Sequence, residues 1–378
     1  TYQYRIRLSK ETEANCLNWL EQCRILYNLA LEQRIIIYKQ TKKSISYYSQ
    51  SNQLPEFKRA FPPFKEIDAQ CLREALQRLD KAYQSFFRRV KSGQRAGFPR
   101  FKGKDRYDSF TLQQNGWKLE GRYLHLTKIG GLKLFLSRPI VGKIKTITIK
   151  RSSTGKWFAS FSCDEVPARI YPQADKSVGI DVGLKSFAVD SDGKVVENPK
   201  YLKQSLKELR IKQRKLSRRI RESRGRKEAR LQVAKLHEKI TNQRKDFLHK
   251  VANHYINSYK HIAIEDLSIN SMVRNKHLSQ SISDSSWGQF FQYLSYKAEE
   301  ADRVLVKVNP YGTSQLCSSC EENVPKKLSI RIHRCPHCGL TMNRDENAAI
   351  NIQRLGQSHR TLTQGSPYVV RESQCLKA

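Results

Sequence analysis

The stretch SVGIDVGLKSFAVDSDGKVVE (177–197), read with YKHIAIEDL (259–267), decides the fold of the C-terminal half. In the first segment apolar residues recur in short β-branched runs, and Asp192-Gly193 marks a turn, so it reads as two strands. YKHIAIEDL reads as a buried strand that ends in acids, and VLVKV (304–308) as another strand. Helical sequence lies between them, including a helix from about 283 to 303 with Trp287, Phe290, Phe291, Leu294 and Ala298 on one side. Strands and helices thus alternate along this half of the chain.

That half carries three acids in unusual places. Asp181 lies inside an apolar strand, where a carboxylate is costly without a counter-charge. Glu265 ends the second strand, and Asp345 opens a short helix from about 345 to 355 in NRDENAAINI (343–352). Hydrolysis of a phosphodiester by two metals needs hard oxygen donors holding two Mg²⁺ ions. Two strand ends and one helix start can supply them. Taken singly, each acid has a plainer role: Asp181 as a turn cap, Glu265 or Asp266 as a lysine partner, Asp345 as an N-cap.

Working outward, Lys200–Lys250 holds nineteen Lys and Arg against five Asp and Glu. Leu202, Leu206, Leu209, Leu216 and Ile220 keep a heptad-like spacing, as do Val233, Ile240, Phe247 and Val251. Two antiparallel helices reversing near Arg224-Gly225-Arg226 follow. So strong an excess of one sign favours a phosphate-facing surface over a merely solvated one. The whole chain agrees: 70 Lys and Arg against 35 Asp and Glu give a formal charge of +35. A ribosomal or chromatin protein, also basic, is the plain alternative, but 378 residues with 38% hydrophobic content can bury several cores.

The N-terminal half reads differently. Tyr2, Tyr4, Ile6 and Leu8 alternate like a strand, and Ser9 can cap a long helix carrying Cys16, Leu20, Cys23, Tyr27 and Ala30 at core spacing. Residues 39–65 are loop or broken helix. A second long helix carries Leu72, Leu76, Leu79, Tyr83, Phe86 and Val90. From Ser109 to Val166 the period is two, predicting a small antiparallel barrel joined by the opening strand, with the helices inserted in it.

Two CxxC pairs, Cys317/Cys320 and Cys335/Cys338, are separated by fourteen residues. Four thiolates in two such pairs suit a structural Zn²⁺ site with no open position; His333 or His337 are alternative ligands. The remaining cysteines are scattered, which fits a reducing, intracellular setting. There is no apolar run long enough to span a membrane and no signal-peptide core. The first residue is Thr1, which reads as a trimmed start.

The segments GIDVGLKSFAV (179–189), HIAIEDLSI (261–269), SISDSSWGQFFQYLSYKAE (281–299), TSQLCSSC (313–320), NRDENAAINI and AGFPRFK (96–102) resemble transposon-encoded TnpB proteins, relatives of type V CRISPR effectors, over about residues 1–355. The resemblance implies an α+β multidomain protein: an RNase H-like (RuvC) mixed α/β nuclease domain with an inserted zinc module, and an antiparallel β-barrel (wedge) with a helical insertion. It implies these domains: first wedge strand 1–9; helical recognition domain 10–105; wedge barrel 106–172; RuvC domain with the basic hairpin 173–312; zinc-binding module 313–342; RuvC C-terminal helix 343–357; flexible tail 358–378. It further implies an RNA-guided, Mg²⁺-dependent DNA endonuclease, acting as a cytoplasmic monomer on double-stranded DNA with a guide RNA from the transposon end. No membrane is involved. Asp181, Glu265 and Asp345 match the catalytic acids, and the four cysteines match the zinc ligands. Tyr47 and Ser51 match positions that read a short target-adjacent motif; near Ala69, Gln70 and Arg73 the sequence departs from the best-known pattern. Arg214, Lys215, Arg218 and Arg219 are the candidate phosphate contacts on the hairpin. A guided binding repressor without cleavage, or a transposase, are the competing readings.

Overall fold

The computed structural model describes residues 1–113, 115–327 and 329–363. The chain parts into two compact units, residues 1–167 and the chain from Ala168 onward.

In the first unit β1 (Tyr2–Arg7) buries Tyr4 and Ile6 on one face, as its period of two requires. Helix α1 (Lys10–Thr41) starts at Ser9, whose side chain accepts the Thr12 N–H, with Glu11 and Glu13 in the first turn. Oxygen acceptors and negative charge there satisfy orphan amides and complement the helix dipole. Residues 39–65, expected as loop or broken helix, contain the end of α1, α2 (Tyr47–Asn52), α3 (Leu54–Ala60) and a 3₁₀ turn, Pro62–Glu66. Helix α4 (Ala69–Lys91) buries Leu72, Leu76 and Leu79 but leaves Val90 exposed, so the expected apolar stripe is a core contact over only its first half.

Strands β2 (Ser109–Leu112), β3 (Trp117–Glu120), β4 (Tyr123–Leu126), β5 (Gly130–Leu134), β6 (Lys143–Arg151) and β7 (Trp157–Asp164) join β1 in one antiparallel sheet, order β2-β6-β7-β1-β5-β4-β3. The opening strand therefore sits at its centre, with α1–α4 inserted between β1 and β2. The sheet curls around a core that includes Trp19, Phe110, Leu132 and Phe161. It is a nearly closed sheet and not the closed barrel expected, because edge strands β2 and β3 do not pair among the described residues.

The second unit holds β8 (Ser177–Val182), β9 (Ser186–Asp190), β10 (Val195–Glu197), β11 (His261–Glu265) and β12 (Val304–Val308), order β10-β9-β8-β11-β12. Residues 177–197 thus form three strands, not two: the turn at Asp192-Gly193 joins β9 to β10, and a tighter reversal at 183–185 precedes it. Strands β8, β11 and β12 run parallel; β9 is antiparallel to β8. Helices α5 (Tyr201–Ser217) and α6 (Arg224–Ser258) form the basic hairpin around Leu209, Leu236 and Ile240. The chain reverses at 218–223, not at 224–226, because Ser223 caps α6 by accepting the Arg226 N–H. The Arg226 guanidinium then binds the Leu216 carbonyl in the last turn of α5 and the Arg219 carbonyl just beyond it.

After β11 come α7 (Ile269–Met272), α8 (Ser279–Ser285) and α9 (Trp287–Glu300). The expected continuous helix 283–303 is broken at Ser286, which adopts φ 56°. The start of α5 has no capping side chain of its own; instead Asp284 of α8 accepts the Leu202 and Lys203 N–H groups and pairs with Arg244 at 2.8 Å. A short hairpin, β13 (Ile332–Arg334) and β14 (Thr341–Asn343), precedes α10 (Arg344–Thr363). That last helix is longer than expected and takes in residues 358–363 of the expected flexible tail; positions 364–378 lie outside the described residues. Among the described residues, no helix is long and apolar enough to cross a membrane.

Candidate active site and metal centre

The two faces of the second sheet have opposite characters. Val178, Ile180 and Val182 of β8 and Ile262 and Ile264 of β11 face α6 and α9, joining Leu248, Tyr255, Phe290 and Leu294 in one core. By alternation, Gly179 and Asp181 of β8 and Ala263 and Glu265 of β11 share the opposite face. Ile180 pairs with Ile264 in the parallel register, so Asp181 and Glu265 occupy the next step on adjacent strands, at a strand spacing of about 4.8 Å.

Helix α10 covers that face, and two glycines let it sit there. A Cβ at position 179 would collide with the Ala349 carbonyl oxygen and the Gln353 amide nitrogen, and would reach 2.9 Å from Gln353 Cβ. A Cβ at Gly356 would lie 2.5 Å from Ala263 Cβ. The Gln353 side chain also bonds the Ser177 carbonyl at 2.7 Å. Helix residues of higher number thus lie over earlier strand residues, so α10 runs antiparallel to β8. From Ala349 back to Asp345 is about 6 Å of helix rise; from Gly179 forward to Asp181 is about 6.6 Å of strand. The matching lengths bring the start of α10 to the level of Asp181.

The electrostatics agree with this convergence. Burial pushes the Asp181 carboxyl well above the usual carboxylate range, and the charges of Glu265 and Asp345 push it further, against the pull of Arg344 and Arg331. Burial also raises Glu265, while a 2.6 Å hydrogen bond donated by Thr313 to its Oε1 pulls the other way. Asp345 Oδ1 accepts from Arg344 Nη2 at 2.8 Å and Nε at 3.1 Å, and Arg331 Nη1 lies 3.6 Å from Oδ2. The N-cap role open to Asp345 falls instead to Asn343, whose Oδ1 accepts the Asp345 N–H. The Asp345 carboxylate therefore does no capping and is held by the two arginines instead. The three acids do not draw as close as the cysteines do: among the described residues, the cysteine quartet is the only group of three or more such side chains whose ligand atoms all lie within 4.8 Å of one another.

Several residues that hold this region were not legible as such. Asn347 and Asn351, one turn apart on α10, are buried; both donate to the Leu316 carbonyl, Asn351 also to the Thr313 carbonyl, and Asn347 Oδ1 accepts the Ser318 N–H. They bolt the loop bearing Thr313 and the first CxxC pair to α10. The available signal was two buried-type asparagines four apart among alanines and isoleucines.

Cys317, Cys320, Cys335 and Cys338 converge, with Sγ···Sγ separations of 3.6 Å (317–338) and 3.5 Å (320–335). Four bonds of about 2.3 Å in a tetrahedron place sulfurs about 3.8 Å apart, so the set fits Zn²⁺. Each pair sits in the same turn: Cys317 N–H bonds the Glu322 carbonyl and Cys335 N–H the Leu340 carbonyl, both at 2.9 Å, and the residue after each second cysteine has positive φ (Glu321 65°, Gly339 76°). His333 is buried against Lys326 and His337 is exposed; neither belongs to the quartet.

The remaining candidates lie elsewhere. Arg214 and Lys215 end α5, and Arg218 and Arg219 begin the reversal; all four are exposed. Tyr47 and Ser51, both half-buried, lie on α2, and Arg73 is exposed on α4. Between Tyr47 and Ser51, Gln50 is fully buried, accepting from Arg34 Nε at 2.8 Å and donating to the Ala30 carbonyl, which fixes α2 against α1.

Three family profiles match the chain: an IS605 OrfB "probable transposase" over residues 160–276, a "Cas12f1-like, TNB domain" over 287–352, and a "helix-turn-helix domain" over 1–43. The last stretch is β1 followed by one unbroken helix, without the turn its description names. A "putative RNA-guided DNA endonuclease" of Streptomyces pristinaespiralis is 31% identical, covering 94% of this chain and 89% of the relative. The "putative RNA-guided DNA endonuclease InsQ" of Escherichia coli K12 is 32% identical, covering 100% and 96%. A cryo-EM structure of a Cas12f1–sgRNA–target DNA complex aligns at 18% identity and TM-score 0.37, covering 93% of this chain and 98% of that one.

Proposed function

We propose that this chain, which belongs to the TnpB/IS605 OrfB family, is an RNA-guided endonuclease that hydrolyses double-stranded DNA. The reading places it beside a short target-adjacent motif, guided by a transposon-end RNA, in a prokaryotic cytoplasm. The observation that carries the proposal is the seating of α10 through Gly179 and Gly356, which levels Asp345 with Asp181 beside Glu265. The five-stranded mixed sheet, with α10 on one face and α6 and α9 on the other, supports an RNase H-like domain.

The donor set fits divalent metal. Carboxylate oxygens suit Mg²⁺, and a buried acid raised by its acidic neighbours gains most from a nearby cation. Asp181, Glu265 and Asp345 would hold a pair of Mg²⁺ ions, which when bound supply an activated water and charge stabilisation at the leaving oxygen. The chain's own groups set up that site. Thr313 steadies Glu265 and favours its charged form. Arg344 and Arg331 hold the two Asp345 oxygens as counter-charges. The cysteine quartet, as a structural Zn²⁺ site, would fold the module that carries Thr313 and Arg331.

On this reading Arg214, Lys215, Arg218 and Arg219 contact phosphates, and Tyr47, Ser51 and Arg73 face the target-adjacent motif. The test is cleavage of matched duplex by the protein purified with its copurifying RNA, in Mg²⁺. Wild-type cutting that Asp181→Ala abolishes, with guided binding retained, is expected. Equal cutting by both would end the assignment; strand-transfer products in a donor–target assay would favour a transposase instead.

A further inference from the structure

The C-terminal half of α4 breaks the logic of its own helix. Its apolar stripe is buried through Leu79 and then emerges, yet it stays aromatic: Tyr83, Phe86 and Phe87, with Phe87 57% exposed. The extended segment at 96–102 adds Phe98 (47% exposed) and Phe101 (55%). Phe98 stands edge-on to both Tyr83 (5.5 Å, 85°) and Phe86 (5.4 Å, 80°), and Phe86 meets Phe87 at 5.2 Å. The segment is held in place. The Lys102 N–H donates to Asn28 Oδ1 at 2.8 Å, and its carbonyl accepts from Asn28 and Arg24.

Exposed aromatic surface clustered in this way marks a binding site, and its charge selects the partner. Residues 81–104 contain eight Lys and Arg and no Asp or Glu. A second copy would oppose like charges, so self-association is disfavoured. Exposed aromatic side chains among cations suit unpaired bases, which stack on aromatics while their phosphates meet Arg and Lys. A duplex hides its base faces, whereas RNA loops and bulges present them. The α5–α6 hairpin makes the contrast: Lys200–Lys250 is equally basic, but its two aromatics among Phe, Tyr and Trp, Tyr201 and Phe247, pack against each other. That surface can track a backbone but cannot stack bases.

We propose that Phe87, Phe98 and Phe101, framed by Arg88, Arg89 and Arg100, form a stacking platform for unpaired bases of the bound RNA. The proposal rests on RNA being this protein's partner but not on cleavage, so a binding measurement separates its failure from failure of the nuclease assignment. The full chain is titrated with fluorescein-labelled oligoadenylate RNA, oligodeoxyadenylate and an RNA duplex over a range of salt. Phe87→Leu with Phe98→Leu keeps apolar bulk and removes two rings. It is expected to weaken oligoadenylate RNA binding roughly tenfold or more, with duplex affinity and salt slope unchanged. If thermal melting shows the pair to be destabilised, Phe101→Leu carries the same test. Unchanged RNA affinity, a loss confined to the DNA strand, or a wild-type dimer abolished by the substitutions would each overturn the proposal.

Discussion

Gly179→Ala is the sharpest test of how the candidate site is built. The added methyl would meet the Ala349 carbonyl oxygen and Gln353 amide nitrogen head-on, and Gln353 Cβ at 2.9 Å. Comfortable carbon–carbon contact is about 3.5–4.0 Å, so α10 must recede by roughly 1 Å. Both obstacles at closest approach are helix backbone, which cannot rotate away as a side chain would. Overpacking of this kind costs about 1–3 kcal/mol. Displacing Asp345 by about 1 Å from its partners costs on the order of 10²-fold in rate. The assay is single-turnover cleavage by the RNA complex alongside thermal melting. Gly225→Ala serves as control: it sits in the first turn of α6 and meets only the flexible Arg219 side chain, at 3.7 Å or more. It is expected to keep wild-type cleavage and gain up to about 1 kcal/mol of helix stability. Gly179→Ala that melts and cuts like wild type would refute the seating of α10 and, with it, the delivery of Asp345.

Asp181→Asn is expected to lower cleavage by about 10³-fold or more, since a metal ligand carries several kcal/mol of transition-state stabilisation. It should nevertheless stabilise the metal-free fold. The Asp181 pKa is raised, so the folded state binds more protons than the unfolded one between the ordinary carboxylate range and the raised value, and stability falls as pH rises through that window. Melting in EDTA across pH should show that fall in wild type, less of it in Asp181→Asn, and recovery with Mg²⁺ in wild type alone. Thr313→Val removes the bond that holds the Glu265 pKa down; the acid limb of the cleavage pH profile should move to higher pH, with Thr313→Ser restoring it. Cys335→Ser, or chelation, should release bound Zn²⁺ and forfeit most of the roughly 10–16 kcal/mol that such binding contributes to folding. Elemental analysis and protease sensitivity of residues 313–342 read this out, and unchanged metal content would show that the ligands lie elsewhere.

Element types were readable from the residue pattern wherever one period dominated. The alternation in β1 and in β2–β7, the core spacing of α1, and the buried runs of β8, β11 and β12 were legible because solvent exposure imposes a period on each. The two CxxC pairs were legible because their chemistry is local: two residues of spacing already set the turn. What remained open was whatever depended on partners distant in the chain. The break at Ser286 and the reversal at 218–223 go with Asp284 capping α5 from 82 residues away and with Arg226 closing that helix's other end. No local pattern encodes either contact. The three acids were visible as odd residues in apolar surroundings, and the family resemblance already grouped them. How α10 is seated beside them was not visible; it depends on two glycines that let a helix backbone lie directly on a sheet. A side chain's absence leaves no periodic trace; it acquires meaning only when something packs against it.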